Sequence, residues 1–176
     1  CPHRGMRMSF GFVRGDHIAC LYHGWRYDTS GQCRYIPAHP DLEVPQTIKV
    51  PTFAATERAG IVWMAPDGAD AAELSTLPET AEPVRSLFLD LSTNAALLAV
   101  TAAPPEGYRP VESETGTVTL QGNDVTVLIA AQPRNAGRTA LHITVTGHTA
   151  AALRRDLILW ATELRNRVEA QMVEAA

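Results

Sequence analysis

Cys1-Pro2-His3-Arg4-Gly5 opens the sequence, and after a hairpin-like span Cys20-Leu21-Tyr22-His23-Gly24-Trp25 follows it. Each stretch offers one thiolate and one imidazole, so two short loops make one mixed Cys₂His₂ set. Zinc accepts such a set in structural sites. The very short Cys-x-His spacing, and the glycines and aromatic residue after the second pair, suit a bulkier group. Small residues let loop backbone approach an iron–sulfur cluster and donate amide hydrogens to its sulfides.

Outward from these loops, the text to Met64 is β-like runs between turns: Phe10–Val13, His17–Cys20, Trp25–Asp28, Thr47–Val50 and Gly60–Met64. Arg14-Gly15-Asp16, Thr29-Ser30-Gly31 and the prolines at 37, 40, 45 and 51 break any helix. Between Ala65 and Pro83 the composition turns to Ala, Asp, Glu and Pro, with little to pack, which places a domain boundary there. Strand-like runs resume at Thr117–Gln121, Asp124–Gln132 and Arg138–Gly147, the last two forming a hairpin about 133–137. Leu153, Leu157, Trp160, Ala161, Leu164, Val168 and Met172 then recur every three or four residues behind Thr149 as cap. That spacing predicts one long amphipathic helix, which needs a sheet to cover. The expected organisation is residues 1–64 as a β-rich domain, 65–85 as linker, and 86–176 as a small α+β domain.

The motifs CPHRG and CLYHGW, continued by YDTSGQCRYIPA and AGIVWM, resemble the Rieske domain of aromatic-ring-hydroxylating oxygenase alpha subunits. The resemblance covers Cys1 to about Met64 and implies antiparallel sheets with two cluster-binding loops. It also implies a [2Fe–2S] cofactor, with Cys1 and Cys20 on one iron and His3 and His23 on the other. The charge count shows why histidines matter. Two ferric ions, two sulfides and two thiolates sum to about zero, whereas four thiolates leave about minus two, so the mixed site takes an electron more readily. High-potential respiratory members tie their loops with a disulfide. The corresponding places here are Met6 and Tyr22, so the resemblance is to the oxygenase or ferredoxin type, at the lower end of about −150 to +300 mV.

Cys33 reads as an apolar filler, and His17 and His39 as ordinary loop histidines. Arg4 and Trp25 flank the ligands, and read equally well as shaping the cluster loops or a docking face and as simple packing and solvation. A complete oxygenase of this kind adds a mononuclear iron held by two histidines and a carboxylate. Beyond the first half only His142 and His148 occur, about 20 Å apart if the strand continues, and neither Asp90 nor Asp124 completes a triad with them. Asp124 to Met172 is nevertheless similar in layout to the last strands and closing helix of the oxygenase catalytic domain. The sequence thus reads as a shortened chain, lacking the first Rieske strands and the iron-bearing middle. Cysteine at position 1 means processing or a missing start. A mature lipoprotein also begins with cysteine, but that leaves the histidine pattern unexplained.

The functional expectation is an oxidoreductase component passing single electrons from a reductase or ferredoxin to an oxygenase centre, with a companion oxygenase subunit or a homo-oligomer as further partner. Its own hydroxylase activity is doubtful. The alternatives are a stand-alone carrier similar to Rieske ferredoxins, and a structural zinc protein. A formal net charge of −4 argues against nucleic acid, no apolar run reaches bilayer length, and three cysteines fit a reducing cytoplasm better than a disulfide framework.

Overall fold

Turn chemistry sets the first sheet. In the computed structural model, which describes residues 1–65, 74, 76–111, 116–147 and 151–174, β1 (Phe12–Arg14) and β2 (His17–Ala19) pair across the Gly15 turn, with Arg14 opposite His17. β3 (Arg26–Asp28) and β4 (Cys33–Tyr35) complete an antiparallel sheet in the order β1-β2-β3-β4. Asp28 Oδ1 fixes the β3–β4 turn by accepting from Ser30 N at 2.9 Å, Ser30 Oγ at 2.6 Å and Gln32 N at 3.1 Å. Tyr27, Cys33, Ile36 and Val44 form the core, flanked by Cys1, Met8, Ile18, Trp25, Ile48 and Val50. The strand expected at Thr47–Val50 is only a single bridge, Gln32 to Lys49. Pro45 and Pro51 bracket it and cannot donate to a ladder, and the buried Gln32 side chain instead donates to the carbonyls of Pro45 and Ile48.

Residues 1–54 with Met64 and Ala65 form one compact unit, and residues 55–63 with the described residues from 74 onward belong to a second. β5 (Ala54–Arg58) and β6 (Ile61–Ala65) make a hairpin whose Ala59 and Trp63 pack with Leu77 and Leu128. β7 (Glu82–Leu89), α1 (Thr93–Ala102), β8 (Arg109–Pro110), β9 (Thr117–Gln121), β10 (Thr126–Asn135), β11 (Arg138–Thr146) and α2 (Ala151–Glu174) follow. The sheet order is β7-β11-β10-β9-β8, all antiparallel. Its inward residues Leu87, Leu89, Val118, Leu120, Val127, Ile129, Leu141, Ile143 and Val145 alternate along the strands and meet Ala96 and Val100 of α1 and Leu157, Ala161 and Leu164 of α2. This is the β-rich domain followed by an α+β part with a long closing helix that the sequence predicts.

Further details differ from the sequence expectation, β5 and β8 among them as strands that were not expected. β7 is an extra strand, and its start at Glu82 takes the last residues of the segment read as linker. α1, which reads in the sequence only as an apolar run, is a helix begun by Ser92, whose Oγ accepts from Ala95 N at 3.4 Å. The β10–β11 hairpin is tighter than the 133–137 turn expected, since Asn135 pairs with Arg138. Trp160 is only partly buried, its indole N–H donating to Ala103 O at 2.9 Å, whereas Leu157, Leu164 and Val168 are buried as expected. Thr149 and the Met172 side chain lie outside what is described. Among the described residues no helix is long and apolar enough to cross a membrane.

Candidate iron–sulfur site

The two Cys-His loops share one backbone device. Gly5 N donates to Cys1 O at 2.9 Å, and Gly24 N donates to Cys20 O at 2.9 Å, each closing a five-residue turn. The closing glycines have φ of +68° and +70°, a conformation costly for any residue with a Cβ. At Gly24 an added Cβ would also stand 3.1 Å from Pro37 Cγ. Loop one thus carries cysteine and histidine at the first and third positions of its turn, and loop two at the first and fourth. A further bond, Cys20 N to Trp25 O at 2.8 Å, ties loop two to the start of β3.

Of the four candidate ligands, the two histidines stand side by side. His3 and His23 are exposed, with ring centroids 4.8 Å apart in an edge-on arrangement. Trp25 stacks on His3 at 4.3 Å and 9°, and Tyr22 tilts against His23 at 4.0 Å, so aromatic neighbours hold both imidazoles. Partial desolvation, then the neighbouring His23 and Arg4, lower the His3 pKa below the ordinary imidazole value. His3 is therefore mostly neutral at pH 7, the form in which imidazole ligates a metal.

Cys20 is buried and Cys1 half-buried, and both lie near a residue that sequence reasoning missed, Tyr27. Its fully buried hydroxyl is 3.3 Å from Cys1 Sγ. Burial, then Cys33 and Cys20, push its phenol pKa well above the ordinary value. The signal was available: Tyr27 sits two residues beyond Trp25 on the strand leaving loop two, where period-two alternation turns it inward. All three cysteines are free thiols.

The discounted residues fall elsewhere. His17 pairs with Asp16 at 3.1 Å, and His39 is exposed in a turn. In the second unit both His142 ring nitrogens have partners, Ser86 Oγ at 2.8 Å and Gln132 Oε1 at 3.4 Å. Asp90 pairs with Arg138, Asp124 is exposed in a turn, and His148 lies outside the described residues. Among the described residues no group of three or more His, Cys, Asp and Glu side chains is arranged to hold one metal ion, the four candidate ligands included. Two cysteines and two histidines, one of each in either turn, are a donor set that two irons can divide between them.

Comparison with known proteins agrees with this chemistry. Residues 1–54 match the Rieske [2Fe–2S] domain family. Over 64 residues the chain is 44% identical to methylxanthine N1-demethylase NdmA of Pseudomonas putida, a match covering 36% of this chain and 18% of that protein. Over 65 residues it is 35% identical to the 3-chlorobenzoate-3,4-dioxygenase oxygenase subunit of Comamonas testosteroni, covering 36% and 15%. In three dimensions the NdmA structure superposes with a TM-score of 0.71 at 18% identity, over 96% of this chain and 66% of that one. Dicamba monooxygenase gives 0.64 at 18%, over 99% and 76%. The sequence matches thus span about a fifth or less of these relatives, and the structural ones show a shared fold. Residues 1–54 of this chain are a Rieske [2Fe–2S] domain, and the cofactor of such a domain is a [2Fe–2S] cluster.

Proposed function

We propose that Cys1 and Cys20 hold one iron and His3 and His23 the other, in a chain that relays single electrons from a reductase or ferredoxin to an oxygenase centre of the ring-hydroxylating type. The observation that carries this is the pair of matched turns, each closed by a left-handed glycine and each presenting one cysteine and one histidine. When bound, the cluster supplies a one-electron acceptor. The protein's part is to position and insulate: Cys20 and Tyr27 are buried, whereas His3 and His23 reach the surface and offer the edge through which a donor or acceptor would couple.

We read the domain organisation as 1–64, linker 65–85 and 86–176, the location as cytoplasmic, and hydroxylation as the work of an iron centre outside the residues described. His142 is occupied by Ser86 and Gln132, which supports that division of labour. The Rieske match over residues 1–54 favours a binuclear cluster over structural zinc. The test is metal and acid-labile sulfide analysis of anaerobically purified protein, followed by reduction with a ferredoxin–reductase system. About two irons and two sulfides per chain, with a reducible visible spectrum, are expected. Stoichiometric zinc without sulfide would overturn the assignment. Substrate-dependent oxygen consumption by the chain alone would overturn the division of labour, and reduction with no transfer to any oxygenase would favour the stand-alone carrier.

A further inference from the structure

We propose that Trp25 is a positioning residue that acts across the two loops: its indole, delivered by the second loop, fixes the ring plane of His3 in the first, so that His3 is a firmly held ligand and His23 a loosely held one. The proposal rests on His3 and His23 being iron ligands. Both histidines are exposed, and the torsion that turns an imidazole about its Cβ–Cγ bond is broad when nothing backs the ring. What backs each ring therefore decides how well it is aimed.

The two backings differ. Trp25 lies on His3 with ring centroids 4.3 Å apart and planes 9° from parallel, so turning His3 would drive its ring edge into the indole. The indole is itself anchored. Trp25 is half-buried against the core of Tyr27, Cys33, Ile36 and Val44, and its carbonyl accepts from Cys20 N at 2.8 Å. His23 rests on Tyr22, its neighbour in the same loop, whose ring is 58% exposed and tilted by 30°. A side chain more than half in water keeps its rotamer freedom and makes a soft backing. The Trp25 stack also joins what the backbone leaves apart. The Gly5–Cys1 and Gly24–Cys20 bonds each close a turn within one loop, and the three cysteines are free thiols, so no disulfide ties loop one to loop two. Holding His3 against Trp25 thus both aims a ligand and opposes separation of the loops, which is the motion that releases a cluster.

The experiment is pulsed EPR of the reduced, cluster-loaded full chain, together with the rate at which an excess of iron chelator bleaches the cluster absorbance, for the parent, Trp25→Leu, Trp25→Phe and Tyr22→Leu. His3→Cys identifies which nitrogen coupling belongs to His3. Trp25→Leu keeps an apolar side chain against the core but offers no flat face. It should broaden the His3 coupling, leave the His23 coupling sharp, and speed cluster loss roughly two- to tenfold, the worth of one aromatic pair. Trp25→Phe restores a ring and should recover both readouts. Tyr22→Leu should broaden the His23 coupling alone and speed cluster loss less, since Tyr22 ties nothing across the loops. A sharp His3 coupling in Trp25→Leu, equal broadening of both couplings, or a Trp25→Phe variant no better than Trp25→Leu in loading, coupling and cluster retention would overturn the proposal while leaving the cluster assignment intact. A parent cluster without nitrogen couplings would overturn the underlying assignment, and this proposal with it.

Discussion

Tyr27→Phe removes one oxygen from a fully buried ring and leaves the ring's packing in place, so its effect isolates a single hydrogen bond. The lost contact is the 3.3 Å approach to Cys1 Sγ. A net intramolecular hydrogen bond contributes about 0.5–1.5 kcal/mol. The bond is stronger when the sulfur carries more negative charge, as it does after reduction, so deletion penalises the reduced state more. For a one-electron couple about 1.4 kcal/mol corresponds to about 59 mV. If most of the bond's worth is realised on reduction, the potential should fall by roughly 20–65 mV. The assay is spectroelectrochemical titration of cluster-loaded parent and variant, with thermal unfolding in parallel. A potential that stays put, or rises, would refute the reasoning and show that the hydroxyl does not donate to a ligand sulfur.

Each ligating histidine keeps one ring N–H, and because oxidised iron withdraws charge that proton leaves more easily from the oxidised state. The potential should therefore be flat at low pH and then fall by up to about 59 mV per pH unit per proton above the oxidised-state pKa, as measured by redox titration from neutral to alkaline pH. Cysteine at His3 or His23 should lower it and remove that site's share of the slope. Leu157→Ala, at a side chain 1% exposed between α2 and the sheet, should cost ~2–5 kcal/mol in denaturant unfolding; a cost below ~1 kcal/mol would mean that the helix is not docked there. Hydrogen bonds from Ser30, then Arg34 and Gln32, lower the Asp28 pKa from 3.8 to about 2. A depressed carboxylate stabilises the fold in full above its unfolded value and loses that contribution as pH falls through the folded one. Asp28→Asn should therefore flatten the acid-unfolding profile between about pH 4 and 2, checked by circular dichroism.

The candidate site was legible because its signal is local: Cys1, His3 and Gly5, then Cys20, His23 and Gly24, lie within two short turns whose backbone needs are visible in the residue types. Strands bounded by turn residues were legible too, as at β1, β2 and β9. What escaped depended on distant partners. β7 reads as EPVRSLFL, with Pro83 and Arg85 obscuring its alternation, and it becomes a strand because β11 supplies the ladder from Glu82 to Leu89. α1 is alanine-rich with apolar residues around most of its surface, so period carried no message, although Ser92 before a run of helix formers was an unused cap signal. Thr47–Val50 has the residue types of a strand, yet its hydrogen bonds are taken by Gln32 and by turns. Tyr27 was read as a strand residue. Its second role follows from where β3 delivers it, beside Cys1 and Cys33, and that juxtaposition depends on three separate segments.

The ligand set is tested most directly by pulsed EPR of the reduced, cluster-loaded chain, which counts nitrogens bound to the reduced iron. Two strongly coupled nitrogens are expected from His3 and His23, with His3→Cys and His23→Cys each removing one. A reduced cluster without strongly coupled nitrogen, or with couplings that survive both substitutions, would contradict the assignment.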